Sequence, residues 1–287
     1  MEETIKINNK GVELFLNKNL DEAEQEFLKV LVKDDFNITA LNNLGLLYHQ
    51  KGNYEEAVVC YSKAIEIQPK DTYYLNRANS FVFLEKLNEA EEDYKACLRV
   101  NPDNVNAKAS LARFYEVIKK TESAIHIWEH LVHTSTEDFY KIELAKAYMS
   151  IGKYKDALSL FHTLNSTNEE TLINYYIGVC HFNLKNYGIA EDAFKSCLEV
   201  EPNNYNIRHY LAVNYLSKEE FESALTEFDF LTKMYPENLK VKLDKIAVLL
   251  NMHDFKKASE IIKSVLAVDP KNEKALYYNK TIDEIDR

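Results

Sequence analysis

Apolar side chains follow a helical spacing along almost the whole chain, and an alanine marks the same point of this pattern eight times. Successive alanines are 33 or 34 residues apart. A large apolar side chain stands four residues after each alanine, and another large side chain stands nine residues before it. The alanines are Ala23, Ala57, Ala90, Ala124, Ala157, Ala190, Ala224 and Ala258. A fixed period of this length indicates a protein built of stacked structural repeats.

Each period predicts two antiparallel helices, as the second unit shows. Its first helix carries an apolar stripe at helical spacing from Leu41 to Tyr48. Gly52 then interrupts the pattern, as a tight turn requires, and a second helix is expected from about Tyr54. Pro69 ends the unit, because proline cannot continue a helix and restricts the residue before it. The chain is therefore predicted to be all-α.

Small residues stand twelve positions before seven of the repeat alanines, where the two helices of a unit are expected to touch. Two helices approach closely only where each presents little side chain, and the large residue four after the alanine then fills the remaining gap. All five prolines lie twelve residues after a repeat alanine, which supports the same frame. The small residues are Gly11, Gly45, Ala78, Ala112, Ala145, Gly178 and Ala212.

These positions resemble the tetratricopeptide repeat (TPR) family, whose pattern joins W-x2-L-G-x2-Y to a later A-x3-F and a closing proline. The second unit reads Leu41-x2-Leu44-Gly45-x2-Tyr48, then Ala57-x3-Tyr61 and Pro69. The resemblance covers about residues 4–271. It implies a right-handed α-solenoid of about eight helix pairs, with the first helix of each pair lining the concave face.

The units are expected to start near residues 4, 38, 71, 105, 138, 171, 205 and 240. Residues 1–271 would form the superhelix, and residues 272–287 a helix that caps its exposed end, giving seventeen helices in all. Asp35, Thr136 and Glu169 stand where proline is expected, which predicts less regular junctions near 133–139 and 163–171. The eighth unit is either one residue short before Ala258 or places Ile246 at a small-residue position.

Composition narrows the classes of function. The formal net charge is −11, which argues against a general nucleic-acid binder or a protein of anionic membrane surfaces. No stretch approaches eighteen apolar residues and the N-terminus has no apolar signal core, so we expect a cytoplasmic protein that does not span a membrane. The cysteines form no CxxC pair and are predicted to be small buried apolar residues, with disulfides or metal binding as the alternative. They are Cys60, Cys97, Cys180 and Cys197.

One motif could indicate catalysis. His126, Glu129 and His130 match the H-x-x-E-H pattern of the inverted zinc peptidases, and His133 adds a third imidazole. Trp128 lies on the packed side of the same helix, so the histidines are expected on the opposite, solvated surface. A catalytic zinc needs a shaped cleft and supporting residues around its ligands. The sequence therefore favours solvated histidines, with adventitious metal binding and a metal-dependent hydrolase as alternatives. Carboxylate pairs such as Glu55-Glu56 and Glu91-Glu92 are likewise expected to be solvated.

Polar and aromatic residues at inward positions of the first helices are the candidate binding residues. Asn9, Asn43 and Asn76 occupy equivalent sites and resemble the asparagine ladder with which some TPR superhelices hold the backbone of an extended peptide. The alternative is that asparagine is simply common at this site. Arg113 and Lys146 could pair with an acidic group of a partner, or with Glu116 and Glu143.

The second half of the predicted groove is aromatic. Aromatic side chains are favoured anchors in binding sites because they bury a large area at low entropic cost. Packing of the superhelix against itself is the alternative explanation. The inward residues here are Phe139, Tyr175, Tyr176, Phe182, His209 and Tyr210.

The leading hypothesis is a non-enzymatic scaffold, without cofactor or metal, that binds an extended segment of an unidentified partner protein in its concave groove. This rests on fold-level resemblance. The alternative is an assembly or regulatory subunit that docks through its outer face or ends, and self-association is possible. A chaperone-tail carboxylate clamp is not expected, since only Asn43 fits among the sites where it would lie. Those sites are Asn8, Val12, Asn43, Thr72 and Asn76.

Overall fold

The computed structural model describes residues 2–164 and 170–285, and this part of the chain contains seventeen α-helices and no strand. The all-α prediction and the helix number are confirmed. The helices are α1 (Glu2–Leu16), α2 (Leu20–Lys33), α3 (Ile38–Lys51), α4 (Tyr54–Ile67), α5 (Asp71–Phe83), α6 (Leu87–Val100), α7 (Val105–Val117), α8 (Thr121–Thr134), α9 (Asp138–Ser150), α10 (Tyr154–Phe161), α11 (Glu170–Asn183), α12 (Tyr187–Val200), α13 (Tyr205–Ser217), α14 (Phe221–Met234), α15 (Leu239–Asn251), α16 (Phe255–Val268) and α17 (Glu273–Ile285).

The chain divides into two compact units, Met1–Ala147 and Tyr148–Arg287. In the first unit each helix packs on the next, and the odd-numbered helices also contact one another, α1 with α3, α3 with α5 and α5 with α7. In the second unit α11 contacts α13 and α15 contacts α17 in the same way. Within each unit these first helices are therefore neighbours, as a shared inner face requires. The handedness of the superhelix and the division at residue 271 stay predictions.

Close contact between a glycine and an aromatic ring holds three of the pairs together. A Cβ atom built on Gly11 would lie 2.6 Å from a ring carbon of Phe27, and one on Gly45 would lie 2.6 Å from the ring of Tyr61. All eight repeat alanines have no exposed surface. Hydrophobic burial drives this packing, and the missing side chain on one helix makes room for the large ring on the other. The predicted role of the small residues is confirmed.

The eighth pair achieves the same packing with different residues. Ile246 on α15 and Ile262 on α16 are both fully buried in one apolar cluster. Asn238 caps the start of α15 by accepting a hydrogen bond from Val241 N, 34 residues after the equivalent cap Asn204. The frame is therefore kept and no residue is missing, so Ile246 occupies the small-residue position. Two medium-sized side chains replace one very small and one very large side chain.

Asparagine caps explain part of the asparagine richness of the chain. In each case a side-chain oxygen just before a first helix accepts a hydrogen bond from a backbone N–H of the first turn, which satisfies a donor that the helix leaves unpaired. These caps fix where the first helix of a unit begins. The capping residues are Asn37, Asn104, Asn204, Asn238 and Asn272.

The predicted irregularity at residues 133–139 is absent. Helix α8 ends at Thr134 and α9 begins at Asp138, so three residues connect them, as three connect α4 to α5 across Pro69. Proline is thus dispensable here, because the turn needs only a short link between helix ends. At the second predicted junction α10 is short, at 8 residues. Glu169 and the rest of 165–169 lie outside the described residues.

A recurring polar contact links consecutive pairs, and the sequence pattern did not predict it. A tyrosine on a first helix donates to a glutamate on the preceding second helix, and a lysine pairs with the same carboxylate. The Oη–Oε1 distances are 3.1 Å for Tyr48 and Glu24, 3.1 Å for Tyr115 and Glu91, and 3.3 Å for Tyr215 and Glu191. The lysines are Lys51, Lys120 and Lys218.

Glu91 is therefore not a solvated carboxylate, which corrects the expectation for the Glu91-Glu92 pair. It accepts hydrogen bonds from Lys120, Lys95 and Tyr115, and these hold its pKa at about 2 against the opposing effect of burial. Glu55 and Glu56 are exposed, as expected.

Candidate functional site

Amide side chains on α1 and α3 form a short hydrogen-bonded chain on the inner helices of the first unit. Asn43 Nδ2 donates to Asn8 Oδ1 at 3.2 Å, and Asn42 Nδ2 donates to Asn43 Oδ1 at 3.4 Å. Asn8 is buried, and Asn42 Oδ1 is a buried acceptor without a hydrogen-bond partner in the described part of the chain. Asn8 and Asn42 were not among the predicted ladder residues. They could have been found from their position next to Asn9 and Asn43.

The other two predicted ladder residues keep their amides free. Asn9 is exposed and Asn76 is half-buried, and within residues 2–164 and 170–285 neither side-chain amide has a recorded hydrogen bond. The backbone oxygen of Asn76 accepts from Ser80 Oγ at 3.0 Å. The three asparagines therefore lie on contacting helices, but only Asn43 is bonded to a neighbouring first helix, and its partner there is Asn8.

An aromatic group that the sequence reasoning missed lies in the same unit. The Phe83 ring is 60% exposed and stacks on Tyr54, with ring centroids 4.6 Å apart and planes 6° from parallel. The His49 ring contacts both edge-on, at 5.2 Å and 5.3 Å, and its Nδ1 lies 2.9 Å from Ser80 Oγ. Burial lowers the pKa of His49, so the imidazole is neutral at pH 7. The exposed ring of Phe83 thereby presents an aromatic surface to solvent.

Arg113 on α7 and Phe139 on α9 lie in contact with each other. The Arg113 guanidinium lies 5.1 Å from the centroid of the Phe139 ring, within the range of a cation–π contact. Arg113 is exposed and makes no ion pair in the described residues. Lys146, in contrast, pairs with Glu143 at 3.1 Å. Of the two predicted cations, only Arg113 keeps an unpaired charge.

Glu116 is hydrogen-bonded to Trp128, whereas the sequence suggests Arg113 and Lys146 as its partners. Its Oε1 accepts from Trp128 Nε1 at 2.8 Å. Burial raises the pKa of Glu116, and the indole donor partly offsets that effect. The indole itself has no exposed surface. This bond joins the two helices of the fourth pair and belongs to the packing of the unit.

In the second unit the predicted aromatic residues pack largely against one another. Tyr175 and Tyr210 meet edge-on at 5.7 Å, and Tyr210 stacks on the buried Phe194 at 5.7 Å. Tyr176 stacks on Phe161 at 5.9 Å. Burial raises the pKa of Tyr175 and Tyr210. Each of the three tyrosines is half-buried, so part of each ring is committed to the fold and part stays accessible.

His209 is engaged within the unit. Its Nε2 lies 2.9 Å from Asp244 Oδ2, and Lys274 Nζ lies 3.2 Å from the other oxygen of the same carboxylate. Burial acts to raise the pKa of Asp244, but these two hydrogen bonds outweigh it and the pKa is lowered. The contact joins α13, α15 and α17. His209 therefore contributes to inter-helix packing, the alternative considered for these residues, and its role in binding stays a prediction.

The histidine motif on α8 shows no metal-site geometry. His126, His130 and His133 are exposed while Trp128 is buried, as the face assignment predicted. Among the described residues no group of three or more His, Cys, Asp or Glu side chains could hold a metal ion. The four cysteines are free and buried, which confirms their prediction as small apolar residues. Over the same residues, every helix is too short or too polar to cross a bilayer.

Comparison with protein families gives consistent matches. Tetratricopeptide repeat models match residues 38–71, 72–104 and 173–204. A crystal structure of a tetratricopeptide repeat protein from Parabacteroides merdae superposes with a TM-score of 0.61 at 18% identity, covering 87% of this chain and 100% of that chain. At this identity the structural likeness concerns the fold alone.

Two curated relatives extend the comparison. BBSome complex member BBS4 of Bos taurus is 25% identical over 241 residues, which cover 80% of this chain and 45% of BBS4. Human Protein O-mannosyl-transferase TMTC2 is 30% identical over 119 residues, which cover 36% of this chain and 14% of that protein. The chain thus spans less than half the length of either relative.

Proposed function

Because this chain is a tetratricopeptide repeat protein, we propose that it is a non-enzymatic interaction scaffold whose inner helices hold an extended segment of a partner protein. The fold is generally an interaction scaffold, and the resemblance to TMTC2 covers too little of that enzyme to suggest its activity here. We further propose that the protein acts in the cytoplasm, in keeping with its free thiols. Nucleic acid, membranes, cofactors and a chaperone-tail carboxylate clamp are not part of the proposal, and self-association stays an option.

The observation that carries this proposal is the pair of free amides on two first helices, α1 and α5, that both contact α3. Asn9 on α1 and Asn76 on α5 flank the bonded Asn43 on α3, and each free amide offers one acceptor and two donors. An extended backbone needs partners for alternate N–H and C=O groups wherever it leaves water. Free amides on the two helices that flank α3 can provide some of these partners without disturbing the fold.

Other accessible side chains, described for each unit by itself, suggest what else a bound segment would contact. The exposed Phe83 ring and the accessible parts of Tyr176 and Tyr210 offer apolar area, and aromatic anchors of this kind dominate many interfaces. Arg113 is exposed and makes no direct ion pair in residues 2–164 and 170–285, so an acidic side chain or chain terminus of a partner suits this position.

The test compares partner capture by two matched variants. Asn9→Ala with Asn76→Ala removes the two free amides and breaks no side-chain hydrogen bond in the described part of the chain. Gln25→Ala with Asn88→Ala removes two exposed amides from second helices and serves as the control. Proteins retained from a lysate of the source cells are quantified for both variants and for the wild type.

We expect the inner variant to lose a defined partner that the control variant keeps. Equal retention by both variants would remove the basis for the inner-face proposal. Loss in the control alone would favour the alternative, an assembly subunit that docks through its outer face.

A further inference from the structure

Four apolar residues near the N-terminus occupy positions that are polar or small in the other repeats. Leu28 stands five residues after its repeat alanine, Val32 nine and Phe36 thirteen, while Val59 stands two after the next alanine. Among the equivalents of Val32, only Ala267 is not polar. The equivalents of Leu28 are Ser62, Lys95, Glu129, His162, Lys195, Asp229 and Lys263, and those of Val59 are Gln25, Glu92, His126, Ser159, Asp192, Thr226 and Glu260.

These side chains are exposed although the repeat frame does not need them to be apolar. Val32 is 87% exposed, Phe36 is 67% exposed and Val59 is 53% exposed, while Leu28 is half-buried. Leu28 packs partly on the core of the unit. The other three positions carry polar or small residues in the sister repeats, so packing inside the unit does not explain Val32, Phe36 and Val59. Apolar residues clustered on an otherwise polar surface mark interaction sites.

Leu28, Phe36 and Val59 line two adjoining depressions, which together we name the α2–α4 groove. One part, of about 390 Å³, is lined by Leu28 and Leu31 of α2, the α3 residues beneath them, and Val59 and Lys63 of α4. A second part, of about 480 Å³, is lined by Phe36, Ile67 and again Lys63. The two parts meet at Lys63. Together they follow α4 from Glu55 to Ile67, which is roughly 18 Å at the helical rise.

The rim of this groove is acidic. Glu55 and Glu56 line the first part, and Asp35 and Glu66 line the second. In the described part of the chain none of these four carboxylates forms an ion pair, and Lys63 is the single cation of the lining. Four negative charges against one positive charge leave a net charge of −3 around an apolar floor. An occupant that carries apolar and basic residues would match both features.

We propose that the α2–α4 groove binds an amphipathic helix of a partner protein, with its apolar face on Leu28, Phe36 and Val59 and its lysine or arginine side chains on the rim carboxylates. A groove of this length fits about three turns of helix, the usual mode in which amphipathic helices dock. The site lies on second helices, so it is separate from the inner face and does not depend on the function proposed above.

The experiment uses the whole chain and two synthetic helical probes. Each labelled peptide has about fourteen residues with leucines at helical spacing, and the two differ only in carrying lysine or glutamate at the flanking positions. Binding is measured by fluorescence anisotropy. Val59→Glu is the test variant, and Thr226→Glu, at the same repeat position in the second unit, is the matched control. Glu55→Lys with Glu56→Lys tests the rim, and circular dichroism checks that each variant is folded.

The lysine probe should bind the wild type and Thr226→Glu alike, and bind Val59→Glu about tenfold more weakly. The glutamate probe should bind the wild type weakly and gain affinity when the rim is reversed. The proposal is overturned if the lysine probe does not bind, if Val59→Glu binds it as well as the control does, or if both probes bind equally. It is also overturned if sedimentation shows a dimer of the wild type that Val59→Glu abolishes, because the occupant would then be a second copy.

Discussion

A single added methyl group should have opposite effects at two glycines of the second unit. Gly178 lies on α11 against Phe194, and a Cβ atom there would sit 2.7 Å from Cε1 and 2.9 Å from Cδ1 of the ring. The ring has no exposed surface and packs in the largest cluster of the unit, so it cannot move aside freely. Gly188 lies on α12 and is exposed, and a Cβ atom added there would meet no neighbouring group within 4 Å.

The magnitudes follow from two competing effects. Replacing glycine by alanine within a helix stabilises by up to about 1 kcal/mol, because the unfolded chain has less freedom to lose. Forcing a methyl group into a filled core costs about 1–3 kcal/mol. Gly188→Ala shows the first effect alone and should be neutral or stabilising. Gly178→Ala adds the second effect and should destabilise by a net amount of about 1–2 kcal/mol.

Urea unfolding followed by circular dichroism measures both variants against the wild type. A repeat array need not unfold in two states, so the midpoint and slope are compared over the whole transition. The double variant Gly178→Ala with Phe194→Leu provides the decisive comparison. If the clash is with the ring, Gly178→Ala should cost less in the Phe194→Leu background, by about 1 kcal/mol or more. A Gly178→Ala variant that is stabilised like Gly188→Ala would refute the packing argument.

Three further outcomes are expected. Glu91→Gln should lower the free energy of unfolding at pH 7 by about 1 kcal/mol, because the ion pair between Glu91 and Lys120 is partly exposed. The pKa of Glu91 is lowered to about 2, so this stabilisation is fully present above about pH 4.5 and disappears as the pH falls toward 2. If the variant is still less stable than the wild type at pH 2, this explanation is wrong. Trp128→Phe removes the indole donor from the half-buried Glu116 and should cost about 2–3 kcal/mol in thermal or urea unfolding, whereas a loss below about 0.5 kcal/mol would show the bond to be dispensable. The four thiols should react slowly with a disulfide reagent at pH 8 in the folded protein and rapidly in urea. The reason is that burial raises the pKa of Cys60 to about 11 and that of Cys180 to about 12. Equal reaction rates in the two conditions would contradict the burial of the thiols.

One periodicity was enough to predict the fold. The spacing of the repeat alanines located the helix contacts, the close approach at Gly45, the burial of Trp128 and the exposure of His130. These follow because a helical period fixes which side of a helix packs. The sequence left two explanations for the eighth unit, a missing residue or Ile246 at the small-residue position. The Asn238 cap shows that the second is correct.

Side-chain contacts between neighbouring helices were harder to predict. The period tells which face a residue occupies but does not tell which rotamer it adopts, so the bond of Asn43 to Asn8 and the engagement of His209 by Asp244 did not follow from it. The contact of Glu91 with Tyr115 was missed for the same reason, although both recur at a constant separation in three junctions. The apolar residues of the α2–α4 groove were visible in the sequence as exceptions at otherwise polar positions. They were overlooked because the outer helix faces were assumed to be solvated.

The different packing of the eighth pair affects how the chain could be cut and rejoined. In most pairs a small residue on the first helix receives a large side chain from the second, whereas Ile246 and Ile262 divide the same volume between them. A chimera that set α15 against α12 would press Ile246 into the space of the Phe194 ring, and one that set α11 against α16 would leave a void beside Gly178. Each helix is thus matched to its own partner. Insertion, deletion or exchange of repeats should succeed between pairs and fail within them.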